Sequence, residues 1–494
     1  MSSLPAGIFR KATLVSSEIH SPAADAAGAG PSRPRGGMLE AIGSALRGTR
    51  ENHTEGSLPR AIALLAIPMV LELVMESTFG LVDVFFVARL GADAVAAVGI
   101  TNSMIILVFA VCMGLSMATT AMVARRIGEG DPEAAGLAAG QAIVLGVAAS
   151  IPISIAGAVF APHLLRLMGA SDAVAAGSPY AAVMFGGSIT IFLIFLNNAF
   201  FRGAGDAAIA MRSLWIANAI NIVLDPCLIF GLGPFPEMGL AGAAVATTIG
   251  RGAGVVFQLF VLFKGDRRIQ VQARQLGVHL DVMKRLARVA GTGTLQFLVA
   301  TASWLLMVRI IAIFGDVALA GYTIAMRLFQ FAILPSWGMS NAAATLVGQN
   351  LGAGKPERAE KAVWLTAFYN VIFLGLMSLL FGTCAELFIR IFTSEPGVVA
   401  VGVACLRIVS AGYIFYAYGM VMSQAFNGAG DTATPTLINL GVHWAWQIPL
   451  AYILARPLGF GETGVFIAAA VSGTTWAMVG VLVFRRGKWK TRKI

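Results

Sequence analysis

The chain has 494 residues, of which 57% are apolar and only 12% charged, with a formal net charge of +10 at pH 7. With a mean hydropathy of +0.79, it lacks the polar residues needed to clothe a soluble surface, which excludes a soluble globular protein. Nucleic-acid binding is not needed to account for the positive charge, because the cations fall in short segments between apolar runs.

The first 57 residues are rich in Ala, Gly, Pro and Ser and hold no apolar stretch long enough for a signal peptide, so 1–57 is expected to be a disordered cytoplasmic tail. Within it Met38 opens a short amphipathic segment through Leu46, and translation can start at Met1 or at Met38. Twelve apolar runs follow, at 60–88, 95–122, 137–162, 178–201, 210–232 and 238–263, then 288–314, 317–347, 362–385, 398–426, 433–455 and 463–484. Each is near or above the roughly 20 residues that cross a hydrocarbon core of about 30 Å. They are too long and continuous for barrel strands, and without water in the bilayer their backbones must be satisfied within helices.

The expected fold is therefore an all-α integral membrane protein of twelve transmembrane helices. Two six-helix bundles, 58–264 and 288–484, are joined by a cytoplasmic linker, 265–287, and followed by a basic tail, 485–494. Pro68, Pro152 and Pro335 lie inside spans and are expected to kink them. Cys112, Cys227, Cys384 and Cys405 sit in apolar runs without metal-ligand spacing and read as packing residues.

Basic short loops stay in the cytoplasm. With the N-terminus inside, the inner loops carry Arg125 and Arg126, Arg202 and Arg212, then Lys355, Arg358 and Lys361. The linker adds Lys264, Arg267, Arg268, Arg274, Lys284, Arg285 and Arg288, and the tail adds Arg485, Arg486, Lys488, Lys490, Arg492 and Lys493. The opposite side has little beyond Arg89, Arg166, Arg390 and Arg456. Both termini are expected in the cytoplasm, which requires an even number of spans, and the protein is placed in the inner membrane.

The sequence repeats itself. Ile127-Gly-Glu-Gly-Asp-Pro-Glu-Ala-Ala135 returns as Leu351-Gly-Ala-Gly-Lys-Pro-Glu-Arg-Ala359, and Arg202-Gly-Ala-Gly-Asp206 returns as Asn427-Gly-Ala-Gly-Asp431, with offsets of 224 and 225. Both motifs follow the second and fourth spans of their half, where glycine permits tight turns. An even number of spans per half makes the copies parallel, related by a pseudo-twofold along the membrane normal with a cavity between them, as in transporters that alternate access around a midplane site.

A carboxylate at the centre of a span costs at least about 2.5 kcal/mol and is a functional candidate by default. Glu72, Glu76 and Asp83 of the first span fall within roughly 40° of one helix face. Asn221 and Asp225 share a face of the fifth span, followed by Pro226, which can free a carbonyl for a cation. At the repeat offset Asp83 corresponds to Met307, and the copy of the Asp225 region reads Trp446-Gln-Ile-Pro-Leu450. The acidic cluster thus belongs to the N-terminal half alone, which points to an ion site there. The alternative is structural: the acids pair with Arg309 or Arg327 of the other half, or pin helices by hydrogen bonds. His443 beside Trp444 and Trp446 can relay protons, or simply pack.

Together, Gly80-Leu-Val-Asp-Val-Phe-Phe-Val-Ala-Arg-Leu-Gly91, both Gly-Ala-Gly-Asp turns, Gly348-Gln-Asn-Leu-Gly-Ala-Gly-Lys-Pro-Glu-Arg-Ala359 and the Asn221–Asp225 pair resemble the multidrug and toxic compound extrusion (MATE) family over nearly all the chain after residue 57. The resemblance implies a V-shaped twelve-helix antiporter that expels drug-like, cationic or amphipathic compounds in exchange for Na⁺ or H⁺. It implies coupling at Asp83, with Asn221 and Asp225 as partners, as in DinF-like members. Thr247 and the carbonyl of Ala243, in Gly242-Ala-Ala-Val-Ala-Thr-Thr248, become oxygen ligands, and Tyr180 and Asn198 cavity residues. NorM-like members carry acids in the seventh and tenth spans. Here the seventh has Gln296, assigned to the substrate cavity with Glu72 and Glu76, and the tenth, through Tyr413 and Tyr418, has none.

Two nearby carboxylates cannot both stay ionised cheaply in a low dielectric, so an external cation would neutralise Asp83 and Asp225 and release a cationic substrate. A flippase or exporter of a lipid-linked or metabolite substrate shares the two-bundle design, but a flippase usually needs a strongly cationic cavity, whereas this one reads as acidic. A non-transporting membrane sensor is a further alternative. The five histidines form no catalytic or metal constellation, so no enzyme activity, organic cofactor or resident metal is expected. The partners are a small organic molecule and the bilayer, with the protein acting as a monomer.

Overall fold

The computed structural model describes residues 38–48, 51–264, 271–492 and 494. Among them every regular element is helical. Nine helices are each long and apolar enough to cross a membrane. Two bent pairs bring the count to eleven, Ser178–Gly186 with Ser188–Ala204 at 42° and Pro396–Ala411 with Tyr413–Gly428 at 56°. The twelfth, spanning 433–455, passes through a π-helical segment at Leu440–Gln447.

In chain order the spans of the first half are Leu58–Val87, Ala92–Gly128, Pro132–Leu167, the first bent pair, Ala207–Phe230 and Leu240–Lys264. Those of the second half are Leu280–Ala312, Asp316–Gly352, Pro356–Arg390, the second bent pair, the π-containing span and Gly461–Arg485. The duplication is exact enough to see in the backbone. The second and eighth spans both have 37 residues, preceded by glycines at φ 107° (Gly91) and 96° (Gly315). The breaks fall on Gly187 and Gly412, 225 apart.

Each half has its own apolar core, one built around Phe192, Phe200 and Phe201, the other around Tyr413, Phe381 and Phe466. The halves meet where the first and second spans pack on the eighth, and where the second crosses the seventh at Gly114 against Ala290 and Thr294. Ala61, Ile62, Leu65 and Met69 of the first span pack on Ala342 and Leu346 of the eighth. Gln349 Nε2 donates to the Gly203 carbonyl at 2.9 Å and Thr345 Oγ1 to the Arg202 carbonyl at 3.1 Å. The second and eighth spans cross so closely that a β-carbon on Gly128 would overlap the Gln349 carbonyl, and one on Gly352 the Arg125 carbonyl. These contacts all lie in the terminus-facing halves of the spans, so the bundles close on that side.

The expected disorder of 1–57 does not hold for its described part, and residues 1–37 lie outside the described residues. Met38–Arg47 is a helix, its final turn held by Arg212 Nη2 donating to the Leu46 carbonyl at 2.7 Å. His53 bonds the Gly205 carbonyl at 3.1 Å, and Arg358 donates to the carbonyls of Gly56 and Glu55. The segment is ordered because it supplies backbone acceptors to cations on both halves. The seventh helix begins at Leu280, ahead of the expected 288. The linker before it is pinned by Gln141 Nε2 donating to the carbonyls of Gln275 and Gly277 at 2.8 and 2.6 Å; Arg267 and Arg268 lie outside the described residues. The basic tail is a strap: Trp489 is buried against Phe484, Lys490 pairs with Glu360 at 2.6 Å, and Arg125 Nη2 donates to the Arg492 carbonyl at 2.9 Å. Helical backbone runs through Pro68, Pro152 and Pro335; within the ninth span the non-helical residue is Cys384.

Overpacking a tight contact costs about 1–3 kcal/mol. Gly128→Val is therefore expected to separate the terminus-side ends, read as a longer or two-peaked distance between spin labels at the exposed positions Glu129 and Glu357. An unchanged distance in a well-folded variant would contradict this packing.

Candidate functional site

Two polar clusters lie in the N-terminal half. In the first, Asn221 Nδ2 donates to Asp225 Oδ1 at 3.3 Å and to Thr247 Oγ1 at 3.1 Å. Four residues separate Asn221 from Asp225, so a helix stacks them on one face, and the sixth span presents Thr247 against them. Asp83 of the first span and Tyr180 of the fourth lie within electrostatic reach of Asp225. Asn221, Asp225 and Tyr180 are buried. Three buried acceptor atoms, Asp83 Oδ1, Asp225 Oδ2 and Asn221 Oδ1, have no hydrogen-bond donor, and buried polar atoms are rarely left so. Two of these atoms belong to the hydrogen-bonded Asn221–Asp225 pair, and the third to Asp83, within electrostatic reach of it. Ala243 is buried one turn before Thr247, and in an unbroken helix its carbonyl is already engaged by the Thr247 amide.

The second cluster lines a cavity of about 100 Å³ between the halves. Glu72, Glu76, Asn198, Arg202 and Arg251 come from the N-terminal half, and Trp337, Asn341 and Gln424 from the other. Glu72 is buried and accepts from Asn198 Nδ2 at 2.9 Å and from Arg202 Nη1 at 3.4 Å. Gln258 Nε2 donates to Asn198 Oδ1, fixing the amide's orientation. Arg251, in the middle of the sixth span, lies within electrostatic reach of Glu76 and Asp83. Among the described residues it makes no ion pair within 4 Å.

The structure thus divides the ten residues singled out from the sequence. Asp83, Asn221, Asp225 and Thr247 come together, with Ala243 beside them. Glu72, Glu76 and Asn198 line the central cavity. Tyr180 belongs with the carboxylate pair instead, and Gln296 packs with its Nε2 donating to Ser423 Oγ at 3.2 Å, away from the cavity lining. Of the four acids, Glu72 pairs with Arg202 of its own half rather than with Arg309 or Arg327. Arg202, assigned to a loop, reaches Glu72, and Arg251 was overlooked although a lone arginine inside an apolar span is itself a signal. With two arginines facing two glutamates, the cavity is charge-balanced and not acidic. Among the described residues no group of three His, Cys, Asp or Glu is placed to hold a metal ion.

The family model MatE matches residues 68–227 and again 294–453, one copy in each half. The chain belongs to the MATE family. Over 439 residues it is 28% identical to the "Probable multidrug resistance protein NorM" of Thermotoga maritima, covering 87% of this chain and 93% of that protein. It is 24% identical over 393 residues to an FAD transporter of Shewanella oneidensis, covering 79% and 87% respectively. Its fold superposes with a TM-score of 0.83 and 26% identity on a structure described as the outward-facing conformation of a multidrug resistance MATE family transporter of the MOP superfamily, covering 89% of this chain and 98% of that one. This MATE transporter therefore has the twelve-helix, two-lobe membrane fold of its relatives.

Removing one member of a buried ion pair typically costs about 3–5 kcal/mol, because its partner is left uncompensated. Arg202→Leu is accordingly expected to lower the thermal unfolding midpoint of the detergent-solubilised transporter by several degrees, with Glu72→Leu/Arg202→Leu recovering most of the loss. A double variant as unstable as the single one would show that the pair is not coupled.

Proposed function

We propose that this MATE transporter is a secondary antiporter that exports a drug-like amphipathic organic compound in exchange for H⁺ or Na⁺, coupled at Asp83, Asn221, Asp225 and Thr247. The observation that carries the reading is the set of three buried acceptor oxygens without a donor at that cluster. A proton satisfies it by turning one carboxylate into a donor, and a sodium ion satisfies it as a shared ligand of all of them. The acidic cluster in the N-terminal half favours the DinF-like branch. The Lys and Arg bias favours cytoplasmic termini in the inner membrane, and a cavity completed by the two halves of one chain favours a monomer. Catalysis has no part in this reading.

Alternating access links the two clusters. Asp83 lies within reach of Arg251, which also faces Glu76 in the central cavity. A cation at Asp83 and Asp225 weakens the hold of Asp83 on Arg251 and strengthens that of Glu76. The acidic face then available to a cationic substrate shrinks, and the substrate leaves. A second reading rests on the same arginines: Arg202 and Arg251 can receive an anionic group, which suits export of an acidic metabolite, and one relative is named an FAD transporter.

The test is flux through proteoliposomes with Na⁺ and pH gradients imposed separately. Ethidium export driven by one gradient, and reduced at least tenfold in Asp83→Asn of equal insertion, is the expected result. Wild-type rates in Asp83→Asn would remove Asp83 from coupling, and flux of an anionic dye in place of ethidium would select the second reading.

A further inference from the structure

The C-terminal half contains its own cavity, of about 170 Å³, lined in part by repeat counterparts of N-terminal residues. Met307, the counterpart of Asp83, and Gly412, the counterpart of the fourth-span break at Gly187, both line it. Two irregularities of backbone converge there, the tenth-span break and the π-helical segment at Leu440–Gln447, which supplies His443 and Gln447. Irregular backbone at membrane depth persists where it is buried in protein or lines a cavity, and π-helical insertions recur at functional sites.

The lining chemistry differs from that of the N-terminal cluster. Trp304, Tyr322, Phe329, Tyr413 and Tyr416 surround the space, and no Asp, Glu, Lys or Arg is among the described lining residues. The rings are held by one another: Phe329 lies 5.5 Å from Tyr413 and 5.6 Å from Tyr416 between centroids. Tyr413 is fully buried, yet its hydroxyl has no hydrogen-bond partner. His443 Nδ1 lies 2.8 Å from Gln447 Oε1. With Gln447 Oε1 accepting, Nδ1 is the donor, and in the neutral ring Nε2 is then an acceptor.

We propose that this cavity is a binding site for a small hydrophobic ammonium that carries an N–H, with the aromatic faces around its charge and His443 Nε2 and the Tyr413 hydroxyl accepting its protons. An inorganic ion finds no carboxylate here, whereas π faces attract a desolvated organic cation. An apolar cavity of about 150 Å³ is enough for a benzene ring, so the volume suits an arylalkylamine. Duplication has then produced two cation sites of different kind, inorganic in one half and organic in the other.

The test is equilibrium binding of benzylammonium to the full-length purified transporter by calorimetry, beside benzyltrimethylammonium, which lacks an N–H. Trp304 is 49% exposed, so Trp304→Leu leaves the core intact, and His443→Phe keeps an aromatic ring while removing the acceptor. At least a tenfold loss of affinity in both variants, with the exposed Glu357→Gln unchanged and benzyltrimethylammonium binding more weakly and indifferent to His443→Phe, is expected. No binding to the wild type, unchanged affinity in both cavity variants, or a loss confined to Glu76→Gln would overturn the proposal. The readout is binding, so it stands or falls separately from ion-coupled export.

Discussion

A carboxylate carried into hydrocarbon must be neutralised, whether by a proton, a bound cation or a fixed partner, because its ionised form is too poorly solvated there to persist alone. The architecture of the N-terminal half follows from how Glu72, Asp83 and Asp225 meet that demand. Glu72 has a fixed partner at one oxygen: Arg202 and Asn198, the latter held by Gln258, donate to its Oε1, while its Oε2 is buried without a donor. At Asp83 and Asp225 the nearby donor, Asn221, spends its amide on Asp225 and Thr247 and leaves three acceptors open.

Duplication supplies the frame in which this contrast is placed. Each half contributes a 37-residue span preceded by a positive-φ glycine, and a fourth span broken at an equivalent glycine. The break at Gly187 packs against Thr248 of the sixth span, and the one at Gly412 lines the aromatic cavity of the C-terminal half. Close helix crossings at Gly128 and Gly352 and the strap of Trp489 to Arg492 seal the terminus side. The central cavity lies between the bundles, which also meet closely where the second span crosses the seventh, at Gly114 against Ala290 and Thr294.

Much of this was legible in the sequence, for physical reasons. Twelve runs of membrane length, glycine turns at a constant offset and three acids at helical spacing are all signals carried along one chain. What escaped was what needs two helices at once. Arg202 counted as a loop charge because its reach to Glu72 depends on how the first and fourth spans pack. Arg251 was masked by its apolar neighbours, and with it the charge balance of the cavity. Tyr180 was assigned to the wrong cluster because the break at Gly187 redirects its half of the span. The π-helical segment is a change of hydrogen-bond register without a compositional mark, and five aromatic rings from the seventh, eighth and tenth spans share no spacing. The order of 38–48, of 51–57 and of the described part of the tail rests on backbone carbonyls meeting distant cations, which no local pattern encodes.

The central claim, that one cation site formed by Asp83, Asn221 and Asp225 opposes substrate binding, is tested most directly by titrating a fluorescent organic cation into the purified transporter at fixed Na⁺ and stepped pH, then at fixed pH and stepped Na⁺. The account predicts that one of the two ions weakens wild-type affinity at least tenfold and that Asp225→Asn abolishes this dependence while still binding. The same ion dependence in wild type and Asp225→Asn would contradict it.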